Sequence, residues 1–202
     1  MKLQLLTLLF SALSTIGIGQ TTVAGKANVM DGLVIFVESV PAIQYRHLGT
    51  VECSMFAPDR FQDLMAHMIK QARKAYPDAE FNALIFRPNK GMCKADVIQF
   101  YPDPSEKRRR SRRGEEEQVN ETYLQSVISA SDGVYLFVEN NPEAEFTLLG
   151  KIEIPATFKS TNPDDYLKEM KRIAKETYPD YNGLVFISGT NLTKANVIKL
   201  IF

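Results

Sequence analysis

Apolar and polar residues along the chain predict the same series of elements twice. Short runs of β-branched and aromatic residues, LVIFVE at 33–38 and VYLFVE at 134–139, each end near a proline and predict strands. The runs YRHLGTVEC and FTLLGKIEI predict a second strand in each series. Within these runs Gly49 and Gly150 indicate a bulge or a close approach of backbone.

A helix follows in each series, because apolar residues then recur at spacings of three and four. The two sets are Phe61, Leu64, Met65, Met68, Ala72, Ala75 and Tyr76, then Tyr166, Leu167, Met170, Ile173, Ala174, Thr177 and Tyr178. Pro58 and Pro163 suit the first helical turn, whereas Pro77 and Pro179 stop each helix on a tyrosine that we expect to face the sheet. The runs FNALIF and YNGLVF predict third strands, and ADVIQFY and ANVIKLIF predict fourth strands.

The matching segments follow one another in the same order, about 101 residues apart. DGLVIFVESVP at 31–41 matches DGVYLFVENNP at 132–142, and KAYPD at 74–78 matches ETYPD at 176–180. Colinear repetition of this kind indicates a tandem duplication. YPD is therefore interpreted as a helix stop and turn and not as a catalytic motif.

The fold class that follows is α+β, with two tandem β-β-α-β-β units at 26–104 and 119–202. Each unit is expected to be a small mixed sheet with one helix on one face. The first and last strands are apolar on both sides, and one helix cannot cover both faces of a sheet. We therefore expect the units to pack together, or each sheet face to find another partner.

The N-terminal segment 1–19 has the pattern of a secretory signal peptide. Lys2 precedes an apolar run, and the small residues Gly17 and Gly19 precede a cut before Gln20. A retained membrane anchor is the alternative, but the apolar run is short for a span of about 20 residues. The expected mature protein is secreted or periplasmic and has no stable membrane anchor.

The linker at 105–118 contains the only concentrated positive charge. Its basic residues are Lys107, Arg108, Arg109, Arg110, Arg112 and Arg113, and three glutamates follow them. The run is interpreted as a solvated tether, as a binding site for an anionic partner such as a lipid headgroup or an acidic protein, or as a protease cut site. Nucleic acid is not expected, because the chain balances 24 basic against 24 acidic residues and no aromatic residue interrupts the run.

Candidate chemistry is sparse elsewhere. Cys53 and Cys93 either pair, as they can in an oxidising compartment, or remain buried thiols. No metal or cofactor is expected, since His47 and His67 are the only histidines and lack a second ligand at a suitable spacing. No nucleophile motif or phosphate loop stands out, so we predict a non-enzyme, with an unrecognised hydrolase as the alternative.

Asn120 and Asn191 begin Asn-x-Thr triplets, which carry sugar only in a eukaryotic source.

A proline and a glycine bracket each second strand, and an asparagine follows each helix. These residues are Pro41, Gly49 and Asn82, and again Pro142, Gly150 and Asn182. This arrangement resembles small bacterial envelope domains of the Rcs stress-sensor lipoprotein and YbjQ-like type. The chain differs from them because it lacks a lipid-anchor cysteine and a full disulfide set, and because it is duplicated.

The resemblance implies a non-catalytic, protein-binding envelope module. The predicted function is an exported binding or adaptor module whose partner is another envelope or secreted protein. The alternative is a small-molecule or anion-binding protein that uses the interface between the units or the arginine-rich linker. The sequence leaves the oligomeric state open.

Overall fold

A computed structural model describes residues 22–53, 60–86, 92–101 and 121–202. The first half of the molecule, 22–101, contains β1 (Thr22–Met30), β2 (Leu33–Val37), β3 (Ser39–Pro41), β4 (Tyr45–Glu52), α1 (Phe61–Ala75), β5 (Ala83–Phe86) and β6 (Lys94–Phe100). The second half, 121–202, contains a 3-10 helix (Glu121–Leu124), β7 (Gln125–Ser129), β8 (Tyr135–Phe137), β9 (Asn140–Pro142), β10 (Phe146–Glu153), α2 (Pro163–Thr177), β11 (Gly183–Phe186) and β12 (Lys194–Leu200). The described structure is mixed α+β, with two helices and mostly strands.

The strands and helices that the sequence indicated are present in both halves, but each half has two strands more. The additional strands are β1 and β3 in the first half and β7 and β9 in the second. Strand β1 begins at Thr22, ahead of residue 26, where the sequence suggested that the first unit starts. Its buried positions include Gly25 and Ala27, which are too small to give a clear hydrophobic alternation.

Within each half the sheet follows one pattern. Strand β2 lies parallel to β5, β5 pairs with β6, and β6 pairs with β4. In the second half β8 lies parallel to β11, β11 pairs with β12, and β12 pairs with β10. Strands β4 and β10 therefore form equivalent edges.

Strands also cross between the halves. Strand β1 pairs antiparallel with β7, β3 pairs with β7, and β9 pairs with β1. Gly25 lies opposite Ser126, and Val37 forms a bridge with Val138. Each of these pairs joins equivalent residues of the two halves, so an approximate twofold axis relates the halves and passes between them.

The crossing begins at two glutamates. Glu38 lies between β2 and β3 with φ of 54°, and Glu139 lies between β8 and β9 with φ of 48°. Residues other than glycine rarely adopt this left-handed backbone conformation. The kink turns each strand out of its own sheet and toward the strands of the other half.

The two halves share one hydrophobic core, which is one of the two arrangements expected from strands that are apolar on both sides. The core contains the helix-facing side of both sheets. The helices contribute Phe61, Leu64, Met65, Met68, Ile69, Ala72, Leu167, Met170 and Ala174. Burial of this apolar surface is the main stabilising contribution to the packing of the halves against each other.

The repeated tyrosine lies against the repeated glycine. A Cβ atom built at Gly49 would lie 1.8 Å from the Tyr76 hydroxyl oxygen, and one built at Gly150 would lie 2.0 Å from that of Tyr178. The register of β4 and β10 shifts at these glycines. The predicted bulge, the close approach and the sheet-facing tyrosine are confirmed. The repeat therefore preserves a packing contact.

Candidate functional site

The face of each sheet that points away from its helix is called the outer face here. In the first half this face is apolar and covered. Its cluster includes Phe36, Ile98 and Phe100, and Val40, Ile43, Tyr123 and Leu124 pack against it. The Tyr123 ring stacks on the Phe100 ring with centroids 4.8 Å apart and an angle of 16° between the planes. The 3-10 helix of the second half thus shields the outer face of the first.

The outer face of the second half is covered by other side chains. Its cluster contains Tyr135, Phe137, Ile198 and Leu200 together with Val23 of β1 and Ile128 of β7, all of them buried, and Ala130, Ala144 and Val185 pack against it. Thr22, which is equivalent to Tyr123 in the repeat, offers no ring here, but the Phe202 ring lies 5.9 Å from the Tyr135 ring. The exposed apolar side chains of β10 lie at the edge of this face, and exposed apolar patches mark binding sites on proteins.

Three side chains of β10 form the open edge of this face and are called the outer strip: Phe146, Leu148 and Lys151. Phe146 lies opposite Leu200, Leu148 opposite Ile198 and Lys151 opposite Asn196 on β12. Directly opposed residues point to the same side of a sheet, so the strip belongs to the outer face. Phe146 is 44% exposed and Leu148 is 53% exposed.

In the first half the equivalent positions form a polar cluster. The Thr50 hydroxyl donates to Asp96 Oδ1 at 2.9 Å, and His47 Nε2 lies 3.4 Å from the same oxygen. Asp96 is only 4% exposed. This buried carboxylate is thus stabilised by neighbours on its own sheet.

In the second half Leu148 replaces His47, Lys151 replaces Thr50 and Asn196 replaces Asp96. A neutral amide replaces the carboxylate, and its Oδ1 has no hydrogen-bond partner among the described residues. Lys151 is exposed and forms no ion pair with any described residue. The outer strip therefore combines two apolar side chains with a lysine that forms no ion pair with a described residue.

The two edge strands also differ along their first residues. Among the described residues β10 pairs only with β12, and β4 pairs only with β6. The first four residues of β4 are YRHL, which include Arg46 and His47, whereas those of β10 are FTLL and carry no charge. Charged side chains on an edge strand disfavour pairing with another chain. The first four residues of β10 lack that protection, and the charged residues of this strand, Lys151 and Glu153, follow its bulge.

Near the junction of the halves, polar side chains form two hydrogen-bonded sets, the first buried and the second partly exposed. Ser126 Oγ donates to Asn140 Oδ1 at 2.7 Å, and Asn140 Nδ2 donates to Ser39 Oγ at 2.9 Å. Asn28 Nδ2 and Ser188 Oγ both donate to Glu139 Oε2, at 2.9 and 3.0 Å. Satisfied networks of this kind fix the relative position of packed elements.

Glu38 has different surroundings from its equivalent, Glu139. The pKa of Glu38 is raised to about 7, mainly by burial and also by the nearby Asp164 carboxylate, whereas Lys171 opposes the shift. Burial also raises the pKa of Asp164, which lies in the first turn of α2. The joint between β2 and the second half is therefore sensitive to pH.

Cys53 and Cys93 form a disulfide, with Cα atoms 5.0 Å apart. The Cys53 amide donates to the Cys93 carbonyl at 2.9 Å, and Ile154 donates to Thr193 at the same distance in the second half. The bond therefore joins two strand ends that the fold already brings together. A disulfide is compatible with an extracellular or periplasmic protein.

Several positions singled out from the sequence lie outside the described residues, namely segment 1–19, Pro58, the linker with Lys107 to Arg113, and Asn120. Asn191 is described, and its side-chain oxygen accepts a hydrogen bond from the backbone amide of Phe61. His67 lies 3.4 Å from the Gln71 amide nitrogen on the same helix. Within the described ranges, no group of three acidic, histidine or cysteine side chains is placed to hold a metal ion, and no helix is long and apolar enough to cross a membrane.

A surface cleft of about 410 Å³ lies beside the first turns of α2. Its lining includes Phe158, Ser160, Glu169 and Arg172. Glu169 bonds Arg172 at 2.7 Å, and Arg172 also bonds Glu176 at 2.6 Å. The lining also contains Lys159, Asp165 and Lys168, so the cleft is lined mainly by charged side chains of both signs.

No known protein family, curated protein or solved structure matches the chain. The outer strip was missed in the sequence, because exposed apolar residues in a strand look like core residues until the pairing is known. One signal could have found it. Aligning YRHLGT with FTLLGK shows that polar His47 is replaced by Leu148 at an equivalent position.

Proposed function

We propose that the protein is an exported, non-enzymatic binding module that recognises another envelope or secreted protein through the outer strip. The exposure of Phe146 and Leu148 carries the proposal, because their equivalents are the half-buried Tyr45 and the polar His47. Aromatic side chains are enriched in protein interfaces, and a few residues near the centre supply most of the binding energy. Lys151 adds a charged group at the rim of the strip.

We also propose that the chain is a tandem duplication of two β-β-α-β-β units, at 26–104 and 119–202, joined by the charged linker. The identical registers of β3 on β7 and of β9 on β1 support this proposal. In this reading an ancestral pair of identical chains became one chain, and the second unit then acquired the binding surface. The leader-like segment 1–19 and the disulfide support export to an oxidising compartment.

The test is site-specific photo-cross-linking in the native cell, with a photoreactive amino acid at position 148 and, as the matched control, at position 47. We expect one reproducible adduct from position 148 and none from position 47. An excess of the purified wild-type protein should compete with the adduct, whereas an excess of the Phe146→Ser, Leu148→Ser variant should not. Equal adducts from both positions, or no competition, would exclude the outer strip as the binding surface.

A further inference from the structure

The edge of β10 indicates how a partner would bind, an inference that rests on the proposed function. We infer that the outer strip takes an extended polypeptide segment, which adds to β10 as a further strand. The segment would place two apolar side chains against Phe146 and Leu148, and a carboxylate against Lys151. Strand addition of this type obtains affinity from backbone hydrogen bonds and specificity from alternate side chains.

The backbone of β10 is suited to this mode. Phe146, Thr147 and Leu148 are all exposed and uncharged, and this stretch pairs with β12 on one side only within the described structure. The molecule already joins its own halves in the same way, since the three-residue strands β3 and β9 each add to a strand of the opposite half. A short extended segment is therefore long enough to pair in this fold.

The register of β12 gives the spacing of the partner's side chains. Leu200, Ile198 and Asn196 lie opposite Phe146, Leu148 and Lys151, because the bulge at Gly150 absorbs one residue of β10. A regular strand on the other side of β10 faces the same three positions with every second residue. The expected pattern is thus apolar, any residue, apolar, any residue, acidic.

The acidic position follows from charge complementarity. In the first half Asp96 supplies a carboxylate on this face, but in the second half Asn196 supplies none. Glu153, the next residue of β10 on this face, pairs with Lys194 at 3.1 Å, and Lys151 forms no ion pair with a described residue. A carboxylate from the partner would complete an ion pair that is exposed and therefore modest, and that contributes mainly to specificity.

The experiment uses the ¹⁵N-labelled protein from residue 20 onward and the peptide Glu-Thr-Val-Thr-Val-Thr-Glu, whose side chains read the same in both directions. Its addition should shift the backbone amide signals of residues 146–151 saturably and leave those of β4 unchanged. A matched peptide with lysine at both ends should bind about three- to tenfold more weakly, from the size of exposed ion pairs. The variant Lys151→Glu should reverse this preference.

Two controls identify the binding mode. A peptide with methylated backbone nitrogens cannot donate hydrogen bonds and should not bind. The variant Leu148→Ser should lose binding while keeping its thermal midpoint, because Leu148 is exposed, whereas His47→Ser should bind normally.

Absence of saturable shifts, or equal binding of the methylated peptide, would overturn strand addition. A concentration-dependent dimer that Leu148→Ser abolishes would also overturn it, because a second copy would then occupy the strip. Failure of these tests together with a competed in-cell adduct at position 148 would leave the proposed function standing. Loss of that adduct would instead remove the function itself.

Discussion

The two halves of the molecule use the helix-facing side of their sheets alike and the opposite side differently. On the helix side both halves contribute equivalent apolar residues to one core. On the outer side the first half is shielded by Tyr123, whereas the second half leaves Phe146 and Leu148 exposed. Substitutions on the helix-facing side would disturb the packing of one half against the other. Substitutions on the exposed part of the outer side cost little stability.

The starts of the helices show a second difference. Asn162 caps α2 within its own half and accepts a hydrogen bond from the Asp164 amide at 3.1 Å. Arg60 provides no such cap for α1, and Asn191 of the second half accepts the Phe61 amide instead. The N-terminal cap of α1 therefore comes from the second half of the molecule, whereas the cap of α2 comes from its own half.

Loss of the disulfide should change the free energy of unfolding the most, and only the first half contains this cross-link. The pair Cys53→Ser, Cys93→Ser should lower the free energy of unfolding by about 3–4 kcal/mol, since the bond closes a loop of 40 residues. Urea denaturation followed by circular dichroism measures the change. The converse variant, Ile154→Cys with Thr193→Cys, should form a second disulfide. An unchanged urea midpoint in the serine variant would contradict the expectation.

Glu38 should make the free energy of unfolding depend on pH. The folded-state pKa of about 7 lies above the ordinary value of 4.5, so the folded state binds more protons between these pH values. Stability is therefore lost as the pH rises from about 4.5 through about 7.

The variant Glu38→Gln removes this cost, so it should gain up to about 3 kcal/mol over the wild type at pH 8 and nothing at pH 4.5. Thermal unfolding across that pH range measures the difference. Glu139→Gln is the matched control, because Asn28 and Ser188 already satisfy its carboxylate. An equal gain for Glu38→Gln at both pH values would assign the effect to packing and not to ionisation.

The glycine–tyrosine contacts should respond equally in the two halves. Gly49→Ala and Gly150→Ala each place a methyl group far inside the van der Waals contact distance of a tyrosine hydroxyl, at Tyr76 or Tyr178, so the tyrosine or the strand must shift. Overpacking should cost about 1–3 kcal/mol in each case, measured by urea denaturation. Replacing the facing tyrosine by leucine should restore part of the loss. A much smaller cost in one half would show that its tyrosine can move aside.

Loss of the helix cap that Asn191 supplies should change the free energy of unfolding the least. Asn191→Ala removes the acceptor for the Phe61 amide and should cost about 1–2 kcal/mol. Asn191 has φ of 53°, so Asn191→Gly separates the cap from the backbone conformation, because glycine tolerates this φ without strain. Hydrogen exchange of the Phe61 amide is the direct measurement. Unchanged exchange in both variants would rule out a role for the contact.

The strands and helices were predictable where side-chain periodicity was strong. The period of α1 correctly predicted the buried residues Phe61, Leu64, Met65, Met68 and Ala72, but it missed the buried Ile69 and included Ala75, which is exposed. Gly49 and Gly150 were recognised as sites of a bulge or a close approach before their partner tyrosines were known. The weakly patterned β1 and the three-residue β3 were not predictable, because Gly25 and Ala27 bury little apolar surface. The disulfide was undecidable, since pairing depends on a distance between two strands that no local pattern encodes.

By itself the sequence determined the repeated order of elements, the ends of both helices and the mixed α+β character, because these depend on spacing and on proline and glycine between near neighbours in the chain. Only the tertiary structure decided that strands cross between the halves at Glu38 and Glu139, and that β10 forms an open edge. Pairing brings together residues about a hundred positions apart, such as Gly25 and Ser126. Whether Leu148 is core or surface depends on which strands cover it, and that information lies in contacts between distant segments.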